Sequence, residues 1–443
     1  MATSPTGLGN TVVLPCPSLP DDVIMDIFAR LPAKFVGRCR YLSRAWAAML
    51  SSEDFADRHR RLANHRHSPR VFFLHHSSRD GPLMHVWSPQ DSPNGAPLTL
   101  YVPKADNAKR ALHIATLVCR GLAIFQTPCT EINYLCNPLT GQMAALPERE
   151  KMPWYWDDVL GRHYTSLGLG YDAHMKKHEV VCVYYGGARC DSEGLPRFAG
   201  CDLYVVNSNG RWPIQGKPPA WVRPNRASVF TNEKNSTLFR RQVYWLADWK
   251  INIKPAEMVI VSFSLTNHTF GTLPPPLGMD KDIHSLPKHH LTKVDEHLCF
   301  VSHNVSNSFY DIWLLPEHGA RVSPDMTNRF VKWPNPLVTI NNGSRILLVR
   351  PRSLAHENNY SRMCAYDPMT GDVEDMFSGS DMVYDSITST TDAAVYEESI
   401  VSPRWCGPFV TYDGLGKFLE SYGVGWYLFL ASLFCFWRAR LCM

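Results

Sequence analysis

His174 and His178 stand four residues apart beside Glu179, and on a helix that spacing would bring two imidazoles and a carboxylate to one metal ion. The surrounding residues, Tyr171-Asp-Ala-His-Met-Lys-Lys-His-Glu179, read instead as a polar turn between two apolar runs. A hairpin is expected there, and in a hairpin turn a spacing of four does not converge. The common catalytic patterns are missing: there is no G-x-S-x-G elbow, no G-x-x-x-x-G-K-[ST] loop and no H-E-x-x-H helix. Gly168-Leu169-Gly170 lacks the third glycine of a dinucleotide loop. With 18 Tyr, 18 His and 13 Cys the chain could assemble a copper-radical centre from separated strands, but no spacing singles one out. The sequence therefore points to no cofactor and no catalytic residue.

Binding chemistry is better represented. Pro147 to Thr165 places Trp154, Tyr155 and Trp156 among acids and bases without strand alternation, and Pro213 to Arg226 does the same around Trp221. Trp and Tyr bury much area at low entropic cost, which suits them to contact a protein target. The competing reading is that these rings fold back as local packing.

Composition bounds the rest. At 443 residues with 45% hydrophobic and 12% aromatic content, the chain has material for one large core and a small module. A net charge of +4 gives no general attraction to nucleic acid. The 13 cysteines include no Cys-x-x-Cys pair, which argues against a zinc module or a disulfide framework. Met1 to Asn10 has no basic and apolar signal pattern, so cytoplasm or nucleus is expected, with reduced thiols. On that expectation the N-x-[ST] triplets at Asn235, Asn267, Asn304, Asn342 and Asn359 are coincidental.

The elements that would position any site begin at Leu19. Leu19-Pro20-Asp21-Asp22 opens a helix with a proline and first-turn acids. Val23, Ile24, Ile27, Phe28 and Leu31 then make a broad apolar stripe, and Pro32 ends it. Val36, Cys39 and Leu42 mark a second helix, and Trp46, Met49 and Leu50 a third. A unit this small is marginal alone, so its stripe asks for a partner. Leu19, Pro20, Val23, Ile24, Ile27, Phe28, Leu31, Pro32, Val36, Arg38, Cys39, Ser43, Arg44 and Trp46 together resemble the F-box, with Gly37 a departure from the usual larger residue. The resemblance implies docking to a Skp-type adaptor, and through it to a cullin, by Leu19, Pro20, Ile24, Ile27, Leu31, Pro32 and Val36 as the exposed part of the stripe. It implies a non-catalytic substrate-recognition subunit of a ubiquitin ligase. The alternative from another class is a propeller enzyme acting on a small molecule, with the helices as a dimerisation segment.

From Arg70 the pattern changes to short apolar runs punctuated by Gly, Pro and Asn. One phrase recurs: a strand, an Asn/Asp-Pro or Thr-Asn turn, and a second strand. It reads YLCNPLTGQMAALP from Tyr134, VSFSLTNHTFGTLP from Val261 and CAYDPMTGDVEDMF from Cys364, with weaker copies from Gly168, Leu203 and Ile312. Repetition at this spacing predicts a four-stranded-blade β-propeller of six or seven blades. LCNPLTG, LGYD, VYWL, SFSLTNHTF, IWLL, YDPMTG and VYEESIVSP, in that order, resemble the F-box-associated region of plant F-box proteins, although the kelch Gly-Gly doublet occurs only as Gly186-Gly187. The expected organisation is an all-α module at 15–62, a basic linker at 63–69, an all-β propeller at 70–403 whose last strand, near Val395 to Val401, closes the ring, and an atypical tail at 404–443. The propeller is expected to fold without the helices.

The tail contains a 17-residue uncharged run from Ser421 to Trp437, SYGVGWYLFLASLFCFW. As a helix it would span about 26 Å, at the lower limit for a hydrocarbon core of about 30 Å. It is read as an accessory or frame-shifted tail. The alternatives are a membrane anchor, the one membrane contact expected of this chain, and packing on the propeller.

Overall fold

The computed structural model describes residues 20–65, 70–77, 81–87, 98–101, 113–126, 133–140, 142–147, 164–185, 199–208, 211–222, 229–231, 241–247, 259–274, 289–294, 297–304, 309–315, 329–331, 335–340, 344–350, 362–376 and 393–403. Four helices come first: α1 (Asp21–Ala29), α2 (Ala33–Cys39), α3 (Arg44–Leu50) and α4 (Glu53–His65). Pro20 and Pro32 stand at the N-caps of α1 and α2, and the Pro20 carbonyl accepts from Val23 N and Ile24 N, each at 3.1 Å. Neither proline can cap with a side chain. Ser43 does so for α3, its Oγ accepting from Trp46 N at 3.1 Å, and Ser52 Oγ takes Phe55 N at the start of α4.

Twenty-four strands follow among the described residues, in six four-stranded antiparallel sheets. Blade 1 joins β1 (Arg70–Ser77), β2 (Gly81–Trp87) and β3 (Leu98–Tyr101) to the last strand, β24 (Ala393–Tyr396). Blade 2 is β4 (His113–Ile114), β5 (Ala123–Gln126), β6 (Asn133–Asn137) and β7 (Gln142–Ala145). Blade 3 is β8 (Tyr164–Asp172), β9 (Lys177–Tyr185), β10 (Ala199–Val205) and β11 (Arg211–Pro213). Blade 4 runs β12 (Val229–Thr231), β13 (Gln242–Leu246), β14 (Ile260–Ser264) and β15 (Thr269–Leu273). Blade 5 runs β16 (His290–Val294), β17 (His297–Asn304), β18 (Phe309–Leu314) and β19 (Arg329–Val331). Blade 6 runs β20 (Asn335–Ile340), β21 (Arg345–Arg350), β22 (Arg362–Tyr366) and β23 (Val373–Asp375). Edge strands of successive blades adjoin, β8 to β12 to β16 to β20 to β24. Arg70 pairs with Tyr396 and Phe73 with Ala393, so β24 closes the ring on β1 as expected, but the strand ends at Tyr396 and residues 397–401 lie in no strand.

The repeated phrase is the outer hairpin of a blade. β6–β7, β14–β15 and β22–β23 carry the three strong copies and β10–β11 the copy from Leu203, whereas the copy from Gly168 is the inner hairpin β8–β9. The turn chemistry is shared. Asn137 Oδ1 accepts from Leu139 N (3.0 Å) and Thr140 N (3.3 Å), and Asp367 Oδ1 from Met369 N (2.8 Å) and Thr370 N (3.3 Å). Asp172 Oδ1 does the same for His174 N and Met175 N. A short side-chain acceptor two residues ahead of an N–H bends the chain without help from tertiary structure.

The helices do not form a separate unit. Phe28, Val36, Leu50 and Phe55 share one buried cluster with Phe72, Phe125 and Tyr396 of blades 1 and 2. The expected linker at 63–69 is corrected at its start: α4 continues to His65, with Ala63 buried in it. The arginines of α4 are ion-paired, Arg58 to Asp26 (2.7 Å) and Arg60 to Asp57 (3.1 Å) and Glu397 (3.5 Å), and Arg70 at the start of β1 is paired with Glu398. The reason is area. Three short helices bury little against each other, and the end of blades 1 and 2 offers the missing apolar surface. Deleting residues 1–66 should therefore lower the propeller's Tm by at least about 10 °C in calorimetry, because it uncovers Phe72, Met84 and Phe125. An unchanged Tm would show that the helices contribute nothing to that core.

Candidate functional site

The first candidate face lies on α1. Its inner side, Phe28 and Ala29, is buried, and Phe28 meets the Trp46 ring edge-on at 4.9 Å. Its outer side leaves Val23 (40% exposed) and Ile27 (48%) in solvent, one helical turn apart. Pro20 before α1 and Pro32 before α2 are exposed as well. Between them Asp26 is braced by Arg30 (2.9 Å) and Arg58 (2.7 Å), whose hydrogen bonds hold its carboxyl below the usual range. The exposed set is thus a small apolar strip edged by a fixed ion-pair network.

The expected docking residues divide under this geometry. Pro20, Ile27 and Pro32 are exposed, while Ile24 and Leu31 are half-buried against the shared core. Val36 is a correction: it is 0% exposed, packed with Phe28, Leu50 and the blade residues, because α2 turns that side toward the propeller. Leu19 lies outside the described residues. Val23 was missed as part of the exposed face, although its position four before Ile27 was the available signal.

Trp221 is also a correction. It is 1% exposed and stacks on Tyr185 at 4.4 Å, with the Tyr185 hydroxyl donating to the Ala220 carbonyl (3.0 Å) and accepting from Val222 N (3.1 Å). The ring seals the joint after blade 3 and is not offered to a partner. Trp154, Tyr155 and Trp156 lie outside the described residues. The strand ends that flank them, the end of β7 and the start of β8, are on the side away from the helices. The β4–β5, β6–β7 and β8–β9 turns are on the helical side, where Arg120 meets Asp57 and Lys176 meets Asp54 at 2.8 Å.

The His174/His178/Glu179 group is split by its hairpin. His174 is exposed in the turn, whereas His178 is buried in β9 and donates from Nε2 to the Cys119 carbonyl at 3.1 Å. Burial pushes His178 down to about 3. Glu179 is buried too, and burial, reinforced by the Asp172 charge and opposed by Arg241, pushes it up to about 7. The buried thiols of Cys136 and Cys201 are raised by burial, which makes them poor ligands, since the ligand form is the thiolate. No group of three or more His, Cys, Asp or Glu side chains able to hold a metal occurs among the described residues. The described cysteines are free thiols.

Glu179 gives a pH test. A raised folded pKa means that the fold prefers the neutral acid, so its stability contribution is lost as pH rises from the unfolded value of 4.5 through about 7. Glu179→Gln removes that loss. Its Tm relative to the wild type should rise steadily from about pH 4.5 to about pH 8, by scanning fluorimetry, whereas a pH-independent difference would contradict the burial assignment.

No helix among the described residues is long and apolar enough to cross a membrane, and 421–437 lies outside them. Comparison with known proteins agrees with this geometry. The F-box domain pattern matches residues 16–58, and the F-box associated beta propeller domain pattern matches residues 97–410. F-box protein At1g53790 of Arabidopsis thaliana is 28% identical over 209 residues, 45% of this chain and 43% of that protein. F-box protein At3g07870 of the same plant is 24% identical over 324 residues, 69% of this chain and 71% of that protein. The chain thus spans less than half the length of the first of these relatives. Among solved structures, the β-propeller domain of the Trilobed protease from Pyrococcus furiosus aligns over 72% of this chain and 97% of that chain at 9% identity, with a TM-score of 0.31 that is too low to carry an inference. The two matched regions take up the helical unit and most of the six-bladed ring, and the chain belongs to the F-box proteins with an F-box associated beta propeller domain.

Proposed function

We propose that this protein is the substrate-recognition subunit of an SCF-type cullin–RING ubiquitin ligase. α1 and the α1–α2 corner dock a Skp-type adaptor, and the propeller holds the target. The chain performs no bond chemistry; it raises the effective concentration of target lysines near the charged thioester. The observation that carries the reading is the strip of Val23 and Ile27 left exposed on α1, flanked by exposed Pro20 and Pro32, while Phe28 and Ala29 on the other side are buried. Two large apolar side chains facing water one turn apart ask for a protein partner.

Topology supports a division of labour between the two sides of the ring. The connections between β7 and β8, β9 and β10, β15 and β16, and β23 and β24 begin and end on the side away from the helices, whereas among the long connections the one between β18 and β19 lies on the helical side. We assign target recognition to that side, including Trp154, Tyr155 and Trp156.

Central apolar anchors cost about 2 kcal/mol or more when lost, about thirtyfold in affinity. Ile27→Asp should weaken binding to a purified Skp-type adaptor at least that much in calorimetric titration, with little change in Tm. Val36→Ala should do the reverse, lowering stability by about 2 kcal/mol while leaving the docking strip in place. Wild-type affinity in Ile27→Asp would overturn the docking assignment.

A further inference from the structure

Helix α2 starts without a cap of its own. Its N-cap is Pro32, which has no side-chain acceptor, so the first amide of the helix needs a partner from elsewhere. That partner comes from just beyond β24. Glu398 Oε1 accepts from Ala33 N at 2.5 Å, and Glu398 Oε2 is paired with Arg70. Its side chain is 2% exposed. A carboxylate at a helix N-terminus is favoured by both the hydrogen bond and the helix dipole.

The residues around Glu398 fix it in place. Asn64 of α4 bonds its backbone twice, Oδ1 accepting from Glu398 N (2.7 Å) and Nδ2 donating to the Glu398 carbonyl (2.9 Å). Arg40, at the C-cap of α2, donates to the Ile400 carbonyl at 3.0 Å and to the Leu50 carbonyl at 2.7 Å. Asn137 of blade 2 donates to the Ser399 and Val401 carbonyls, each at 2.8 Å. Gly121, at φ +86°, leaves the space that Ser399 occupies; a Cβ there would overlap the serine side chain. Residues 397–401 are therefore a strap fastened to blade 2 on one side and to the helices on the other.

The strap bears on the docking corner. Leu31-Pro32 lies between two buried fasteners, the His59 Nε2–H donated to the Leu31 carbonyl at 2.8 Å and the Glu398 carboxylate on Ala33 N. We infer that Glu398 is a positioning residue for adaptor docking: the propeller's closing segment sets the α1–α2 corner from which Pro32 and Ile27 are presented. The inference rests on the docking reading given above. It means that the F-box here is completed by a residue 365 positions away in the chain.

The test uses full-length protein and a purified Skp-type adaptor, with Glu398→Ala, Glu398→Gln and a control. The control is Val261→Ala, buried in blade 4 away from the helices, and affinities are compared well below each variant's Tm. Glu398→Ala should lose about tenfold in adaptor affinity, the scale of a lost helix cap. Glu398→Gln, which keeps an acceptor for Ala33 N, should recover part of that loss. Val261→Ala should bind as the wild type does, however far its Tm falls. If Glu398→Ala does not fold, the Gln variant against the control decides the matter. Wild-type affinity in the Glu398 variants, or an equal loss in the control, overturns the positioning role. Failure of the wild type itself to bind would instead overturn the docking reading and, with it, this one.

Discussion

The arrangement depends on one buried carboxylate held between the helical unit and the closure of the ring. Glu398 takes the first amide of α2 with one oxygen and Arg70 with the other. Arg70 begins β1, and Glu398 lies two residues beyond the end of β24, so the bond that caps a helix also lies at the closure of the ring. Burying a carboxylate is costly unless it is fully paired, and losing either partner would leave a charge stranded in the apolar cluster formed by the helices and blades 1 and 2. Helical unit and propeller are for this reason one folding problem. The apolar surface that the short helices cannot cover themselves, from Phe28 to Phe55, is covered by Phe72, Phe125 and Tyr396.

That coupling has a geometric consequence for function. On the function proposed above, the target has to be presented at a fixed distance and orientation from the adaptor. Helices joined to the ring by a flexible linker would hold neither. Here α4 runs from the docking helices to within five residues of β1, with Asp54 and Asp57 reaching Lys176 and Arg120 of blades 3 and 2. The Arg120 guanidinium in turn lies 3.8 Å over the Tyr171 ring. Individually such exposed or part-exposed pairs contribute little. Their placement around a shared apolar core sets the angle at which the helices sit on the ring.

Much of this was legible in the sequence, and the rest was hidden for identifiable reasons. The outer hairpins could be read because Asn137 and Asp367 build their turns with their own side chains, so local chemistry reports local structure. The docking strip was legible as a stripe, but a stripe does not say which of its edges faces the ring. Val36 was therefore placed outside and Val23 left out. Trp221 left two readings open, because a tryptophan in a polar stretch looks alike whether it faces a partner or seals a joint, and the packing reading is the one the fold adopts. The role of Glu398 was not readable at all. Within VYEESIVSP it is one of two adjacent glutamates, and only the fold brings it to a helix that opens with a proline.

The claim that helices and ring form one cooperative unit is tested most directly by native-state hydrogen exchange on the full-length protein. If the shared core and the strap unite them, amides in α1, α2 and α4 should open with the same free energy and the same denaturant dependence as those of β1, β5 and β24, in a single event. Helical amides that exchange through a separate, lower-energy opening while β1 and β24 remain protected would contradict the account.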